Sequence, residues 1–258
     1  MFKIVPCIKY DNRSMTPSSH DVVIEVPLSV FVNGRHALTA MISPVMLEEF
    51  ITGFLYTERI IRKLEDIDSL RIEEKDTAAP SAGVLTKNPF SIMVSSKTVL
   101  SGCGGDTSYL DPDRLPKIQS DMLIEPSTIS KIMKETLVSD LHTRTGGIHI
   151  VGLFGPNGKI CIIEDIGRHN ALDKVIGYGL KHDVDFSRTI VTCSGRLSSE
   201  MVRKCLIANI PVIASRGATT TLAINMGKQS GLTIIGFVRG HKMIIYTGVE
   251  RIISQEPV

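Results

Sequence analysis

At 258 residues, 43% hydrophobic and 22% charged, the chain is long enough to bury a core without disulfide or metal staples, and it fits one large or two small domains. A net charge of +2 is too small to direct it to nucleic acid or an anionic membrane, and no stretch approaches the roughly 20 apolar residues of a membrane span or the layout of a signal peptide, so the cytoplasm is the expected compartment. Five cysteines (7, 103, 161, 193 and 205) with no C-x-x-C pair exclude a disulfide framework and a cysteine-rich zinc site, and leave thiol chemistry open.

In chain order, strands are predicted over 22–26 and 29–32, the second leading into Asn33-Gly34, a strong hairpin signal. A helix follows, with Ser43 as its cap, Pro44 as its first residue, an apolar stripe of Leu47, Phe50, Ile51, Phe54 and Leu55, and an end near Arg62. Residues 73–90 and 101–116 are punctuated by glycine and proline and read as loops. The composition then shifts to a helix capped at Ser127, and the division into an N-terminal α+β part (1–125) and an α/β part (126–258) is placed here. Within the second part, 147–154 and 159–164 form a hairpin around Pro156-Asn157-Gly158. A helix from Arg168 comes next, then strand 189–193, helix 198–208, strand 211–214, helix 220–229, and strands 232–238 and 243–247. Strands alternating with helices of this length predict an α/β layered fold: parallel crossovers with antiparallel edges.

Residues 164–174 place Glu164, Asp165, Arg168, His169 and Asn170 around Gly167 where a strand turns into a helix, whose N-terminal N–H groups attract anions. The structural alternative is that His169 or Asn170 caps the helix while Glu164 and Asp165 face solvent. Three further strands end alike: in Ser194-Gly195-Arg196, in Ser215-Arg216-Gly217 and in Arg239-Gly240. Ligands of open α/β sheets bind beyond the carboxyl ends of the strands, so this edge would gather three arginines, with Arg168 as a fourth if its strand runs the same way. Bidentate arginine contacts suit a diphosphate or nucleotide. Ser101-Gly102-Cys103-Gly104-Gly105 leaves one thiol with almost no side-chain cover, as sulfur transfer requires, whereas Cys161, Cys193 and Cys205 lie in apolar runs and read as core. No deaminase-type, H-E-x-x-H, P-loop or G-x-S-x-G pattern is present. His142 and His149 read as unrelated histidines, and no metal site is expected.

These residues, together with Val32-Asn33-Gly34, Gly53-Phe54-Leu55, Thr145-Gly146-Gly147-Ile148-His149, the run from Gly167-Arg168-His169-Asn170 to Lys174, and Gly236-Phe237-Val238-Arg239-Gly240, make the chain resemble the formate dehydrogenase accessory sulfurtransferase family, FdhD. The resemblance implies a cytidine-deaminase-like core without zinc ligands. It also implies a carrier that takes persulfide sulfur from a cysteine desulfurase and passes it to the molybdenum- or tungsten-bis(molybdopterin guanine dinucleotide) cofactor of formate dehydrogenase. Carried over by position, Cys103 is the persulfide-bearing residue, and Phe237, Val238, Arg239, Gly240, His241 and Lys242 are the cofactor-binding segment. Arg168, His169, Arg196 and Arg216 are the further cofactor-binding candidates read from the sequence. A homodimer is expected, one subunit for each of the cofactor's two similar nucleotides. The chain departs from the family where C-x-x-C is usual and Asp106 stands in the second position, and where Ser215 to Ala223 replaces a Ser-Ala-Pro-Thr-Ser-Leu-Ala segment. A chaperone that holds the pterin cofactor or a guanine nucleotide and moves no sulfur is the alternative.

Overall fold

The structure is a computed structural model that describes residues 1–75, 78–87 and 115–253. Cys103 and Asp106, with the rest of the glycine-rich segment, lie outside the described residues.

The chain begins with a two-stranded hairpin, β1 (Phe2–Asp11) and β2 (Ser14–Val23), turning at Asn12 and Arg13. A second hairpin follows, β3 (Val26–Val32) and β4 (Arg35–Ile42). Its turn residues Asn33 and Gly34 have φ of 49° and 76°, the left-handed pair that the Asn-Gly signal predicts. Strands β5 (Ile67–Lys75) and β6 (Ala78–Thr86) complete a four-stranded sheet in the order β4-β3-β6-β5. This corrects the reading of 73–90 as loop. Small residues and Pro80 mask the alternation in β6, yet Ala82 and Val84 are buried while Gly83 and Leu85 are exposed, and Pro80 precedes the stretch that pairs with β3.

Helix α1 (Leu47–Thr57) buries the expected apolar stripe against this sheet. It begins three residues after Pro44, and Met46 at its cap is left-handed with no side-chain capping bond. Ser43 is not the cap because its polar groups are engaged elsewhere, as described below. The helix also stops short of Arg62: the N–H groups of Ile60 and Ile61 fold back onto the Leu55 carbonyl, and Ile61 is buried. Helix α2 (Pro126–Thr136) starts one residue before Ser127, whose hydroxyl donates to Glu125 at 3.0 Å and does not cap the helix.

A short helix, α3 (Asp140–Thr145), leads into a six-stranded sheet of order β12-β11-β10-β9-β7-β8. Its strands are β7 (His149–Gly155), β8 (Gly158–Asp165), β9 (Ile190–Cys193), β10 (Val212–Ser215), β11 (Thr233–Arg239) and β12 (Lys242–Thr247). β9, β10 and β11 are parallel, and the pairs β7–β8, β7–β9 and β11–β12 are antiparallel, as the predicted element order requires. Helices α4 (Arg168–Lys181), α5 (Ser199–Ile207) and α6 (Thr221–Ser230) cover one face over Val191, Cys193, Ile213 and Ile234. Helix α2 covers the other over Ile190, Val212, Ala214 and Ile235. Burial on both faces explains why these strands read as unbroken apolar runs.

The N-terminal sheet is joined to this layer by α1 lying across α4. A Cβ at Gly53 would fall 1.8 Å from the Asp173 carbonyl, and one at Gly177 would fall 1.9 Å from the Glu49 carbonyl, so the two backbones touch where they cross. Among the described residues no helix is long and apolar enough to cross a membrane.

Candidate functional site

Strand direction assembles the site. Because β7 runs against β8 and β9, its first residue, His149, pairs with Asp165 at the end of β8, and Val151 pairs with Cys193 at the end of β9. The start of β7, the start of α4 and the carboxyl ends of β9 and β10 therefore share one edge. A cleft of about 580 Å³ opens there, lined by His142, the Gly146-Gly147 turn, Ile148, His149, Ser194 and Arg216 among others. That volume suits a nucleotide-sized ligand. Among the described residues no carboxylate lines it.

Arg168, the first residue of α4, stands beside this cleft. Its Nε is buried without a hydrogen-bond partner among the described residues. A Cβ on Gly195 would lie 2.8 Å from His149 Nδ1 and 3.6 Å from Arg168 Cδ, so only glycine lets the β9 turn close over both side chains. Burial, then the Arg168 charge, pushes the His149 imidazole below its ordinary range, and Asp165 opposes the shift. The cleft thus presents arginine as its fixed positive charge beside a neutral imidazole.

Asp165 is the anchor of this arrangement and not a solvent-facing acid. It is fully buried and accepts from the N–H groups of Ser43 (3.2 Å) and Gly167 (2.8 Å), from Asn170 Nδ2 (3.0 Å) and from Lys174 Nζ (2.6 Å). Ser43 completes the knot by accepting from the Ile166 N–H at its hydroxyl and from Lys174 at its carbonyl. Asp165, Asn170 and Lys174 of the 164–174 run therefore fix the strand-to-helix turn, and Arg168 is the member left to face a ligand.

His169 points elsewhere. It lines a small cavity of about 20 Å³ between α1, α4 and α5 together with Glu58, Asp173, Glu200 and Lys204, and its Nε2 lies 3.1 Å from Ser198 Oγ and 3.3 Å from Glu200. Burial, with Arg168 and Lys204, pushes the imidazole down to about 3. Below it, Lys204 bonds both Asp173 oxygens at 2.8 and 2.9 Å, Thr57 donates to Asp173 at 2.8 Å, and Arg203 pairs with Glu58. Burial raises the Glu58 carboxyl, but Lys204 and Arg203 together bring it below its ordinary range.

Arg196 and Arg216 are exposed at the ends of β9 and β10, and their turns touch, with the Gly217 Cβ position 3.2 Å from the Arg196 nitrogen. β11 leaves its pairing with β10 after Ile235 and continues beside β12, so residues 237–242 project beyond the sheet edge by roughly 10 Å. Phe237, at φ 52°, donates its N–H to the Gly217 carbonyl, which ties this projection to the β10 turn. Arg239, Gly240, His241 and Lys242 are exposed on it, whereas Val238 is core.

His142 and His149, read from the sequence as unrelated, line the same cleft. The contact is local: a His142 ring nitrogen lies 3.2 Å from the Ile148 carbonyl, across the turn from α3 into β7. Among the described residues no group of three or more His, Cys, Asp or Glu side chains is placed to hold a metal ion. Cys193 and Cys205 are buried, and burial pushes the Cys193 thiol up to about 11 and that of half-buried Cys161 up to about 12, so these sulfurs stay protonated at neutral pH. Cys7 is exposed on the N-terminal hairpin.

Fold and cleft together define an α/β protein with a carboxylate-free, arginine-flanked cleft at the carboxyl edge of its parallel strands. The chain belongs to the FdhD/NarQ family, whose pattern matches residues 23–253. It is 35% identical over 245 residues to the sulfur carrier protein FdhD of Wolinella succinogenes, covering 94% of this chain and 86% of that one. It is 33% identical over 261 residues to the sulfur carrier protein FdhD of Geobacillus kaustophilus, covering 96% of each. A crystal structure from Desulfotalea psychrophila, of a protein proposed to be a formate dehydrogenase accessory protein, matches with a TM-score of 0.78 at 28% identity, over 98% of this chain and 99% of that one.

Proposed function

We propose that this chain is a sulfur carrier whose Cys103 receives persulfide sulfur from a cysteine desulfurase and delivers it to a molybdenum- or tungsten-bis(molybdopterin guanine dinucleotide) cofactor destined for formate dehydrogenase. In loading, the Cys103 thiolate attacks the terminal sulfur of the desulfurase persulfide; the S–S bond there breaks, the desulfurase leaves as thiolate, and the new persulfide remains on Cys103. The cofactor is cargo. Arg168 and Arg216 at the cleft face its diphosphate, and the projecting segment with Arg239, His241 and Lys242 holds the guanine end. A homodimer offers one cleft to each nucleotide arm.

The observation that carries the nucleotide half of this reading is the cleft itself: of nucleotide size and, among the described residues, without a carboxylate in its lining and flanked by a guanidinium whose Nε has no partner. The sulfur half is supported by the relatives named as sulfur carriers over most of their length, and by the burial of Cys193 and Cys205 and the half-burial of Cys161, which leave Cys103 and Cys7 as the candidate thiols.

The test is intact mass after incubation with a cysteine desulfurase and cysteine. The wild type and Cys7→Ser gain one sulfur, about 32 Da, and Cys103→Ala gains none. Loading that survives Cys103→Ala and disappears in Cys7→Ser overturns the assignment. Full restoration of formate dehydrogenase activity by Cys103→Ala, in a strain without its own accessory protein, would select the chaperone that binds the cofactor without sulfurating it.

A further inference from the structure

His149, the first residue of β7, lines the cleft half-buried. Among the described residues its ring makes no hydrogen bond, whereas His142 holds a ring nitrogen 3.2 Å from the Ile148 carbonyl. His149 and Arg168 pack on the same glycine: a Cβ at Gly195 would lie 2.8 Å from His149 Nδ1 and 3.6 Å from Arg168 Cδ. Arg168 Nε is likewise without a partner among the described residues. Polar groups removed from water are costly to leave unpaired, so two of them side by side at one cleft mark where a ligand supplies the acceptors.

The charges around the ring decide its protonation. Arg168 faces it from α4, Arg216 from the β10 turn and His142 from α3, while His169 lies buried beyond Arg168 and the Cys193 thiol of β9 stays protonated. Asp165, paired with His149 across β7 and β8, is the one carboxylate among them, and Lys174 already matches its charge at 2.6 Å. With the cleft empty, a proton on His149 would set an imidazolium beside an unpaired guanidinium, and the ring is held neutral. An anion seated against Arg168 reverses the balance, because an opposite charge within about 4–6 Å favours the charged imidazole. The ring then donates a second charge-assisted bond to the ligand, next to that of the arginine.

We propose that His149 is the proton-accepting arm of this site: a diphosphate seated beside Arg168 draws a proton onto the imidazole, and binding is tighter in mildly acid than in alkaline solution. The proposal rests on the nucleotide reading of the cleft and adds to it a dependence on proton concentration. The proton comes from solvent and returns there when the ligand leaves, with no covalent bond to carbon, phosphorus or sulfur changed. His169 does not serve in this role, because it lines the small cavity beside Glu200 and not the cleft.

Calorimetric titration with GDP between pH 8 and 6.5 tests this. Over that range wild-type affinity is expected to rise about fourfold relative to His149→Asn. The variant subtracts the proton that GDP itself takes up, since a phosphate monoester titrates at about pH 6. At pH 6.5, titrations in buffers of different ionisation heat should show roughly half a proton more taken up per GDP by the wild type than by the variant. Should His149→Asn fail to fold, the wild type carries the test alone: on addition of GDP at pH 6.5, one of its seven histidine ring-carbon proton signals should shift toward the protonated position as the proton is taken up. An equal rise in His149→Asn, a rise lost in His142→Asn but kept in His149→Asn, or wild-type binding without proton uptake or imidazole shift would each overturn the proposal and leave the nucleotide reading standing. Failure of the wild type to bind GDP at any of these pH values overturns both.

Discussion

Lys174 and Asp165 show what the polar residues of the 164–174 run do. Both are fully buried, the ammonium reaches the carboxylate at 2.6 Å, and three further donors complete the shell. Removing one member of such a pair strands the other charge, so Lys174→Ala should cost about 3–5 kcal/mol in a urea unfolding titration. His169 gives a pH dependence whose sign follows from its position. Held down to about 3 in the folded protein, it stays neutral while the unfolded chain takes up a proton near 6.5. Its contribution is therefore fully present above pH 6.5 and declines as pH falls toward 3, with about 2 kcal/mol lost by pH 5. The Glu200 carboxylate at 3.3 Å moderates the loss. His169→Asn should flatten the decline of unfolding free energy between pH 6.5 and 5, and an unchanged slope would assign that decline to other groups.

At the scale of elements, the crossing of α1 and α4 joins the N-terminal sheet to the six-stranded one. The contact runs through glycine on both helices, and a methyl on either would overlap a carbonyl of the other at under 2 Å. Gly177→Ala should therefore separate the helices and destabilise the fold by about 3 kcal/mol or more, at the upper end of overpacking costs, as a lowered thermal midpoint. Gly34→Ala, with open space around it but a φ of 76°, should cost less, about 1 kcal/mol, because only backbone strain is added. Element types were largely legible here. The Asn33-Gly34 hairpin, the α1 stripe and the order of the last six strands were readable from local pattern. Strand β6 was not, because its small residues blur the alternation, and the start of α1 was not, because Ser43 is drawn to a partner 122 residues away in sequence.

Over the whole molecule, charge is sorted by location. Among the described residues carboxylates are absent from the cleft lining and gathered behind it: Asp165 lies under the turn, and Glu58, Asp173 and Glu200 lie around the His169 cavity. Arg168 and Arg216 are thus left free to meet an anion. Arg216→Ala should weaken GDP binding by about 1.5–3 kcal/mol in calorimetry, and lessen its salt dependence, because a charge-assisted contact is lost. Its exposed position leaves thermal stability nearly unchanged. Arg239→Ala on the projecting segment should act in the same sense, and unchanged affinity in both variants would place the nucleotide elsewhere.

The amino-acid sequence by itself determined the helices and strands of the C-terminal layer, their parallel crossovers, and the arginine at each strand end, but not the strands β1, β2, β5 and β6. Such features repeat within a few residues along the chain, at the periods of the backbone itself. Tertiary structure decided which of the neighbouring residues 168 and 169 faces the cleft, since one helical step of about 100° turns His169 toward α1 and α5 while Arg168 stays at the sheet edge. It also brought Ser194 and Arg216 to the cleft that His142 and His149 line, because β7 runs against β9. It turned Asp165 inward, because the Ser43 N–H, 122 residues away in sequence, joins the local donors Gly167, Asn170 and Lys174 only once the two sheets have packed.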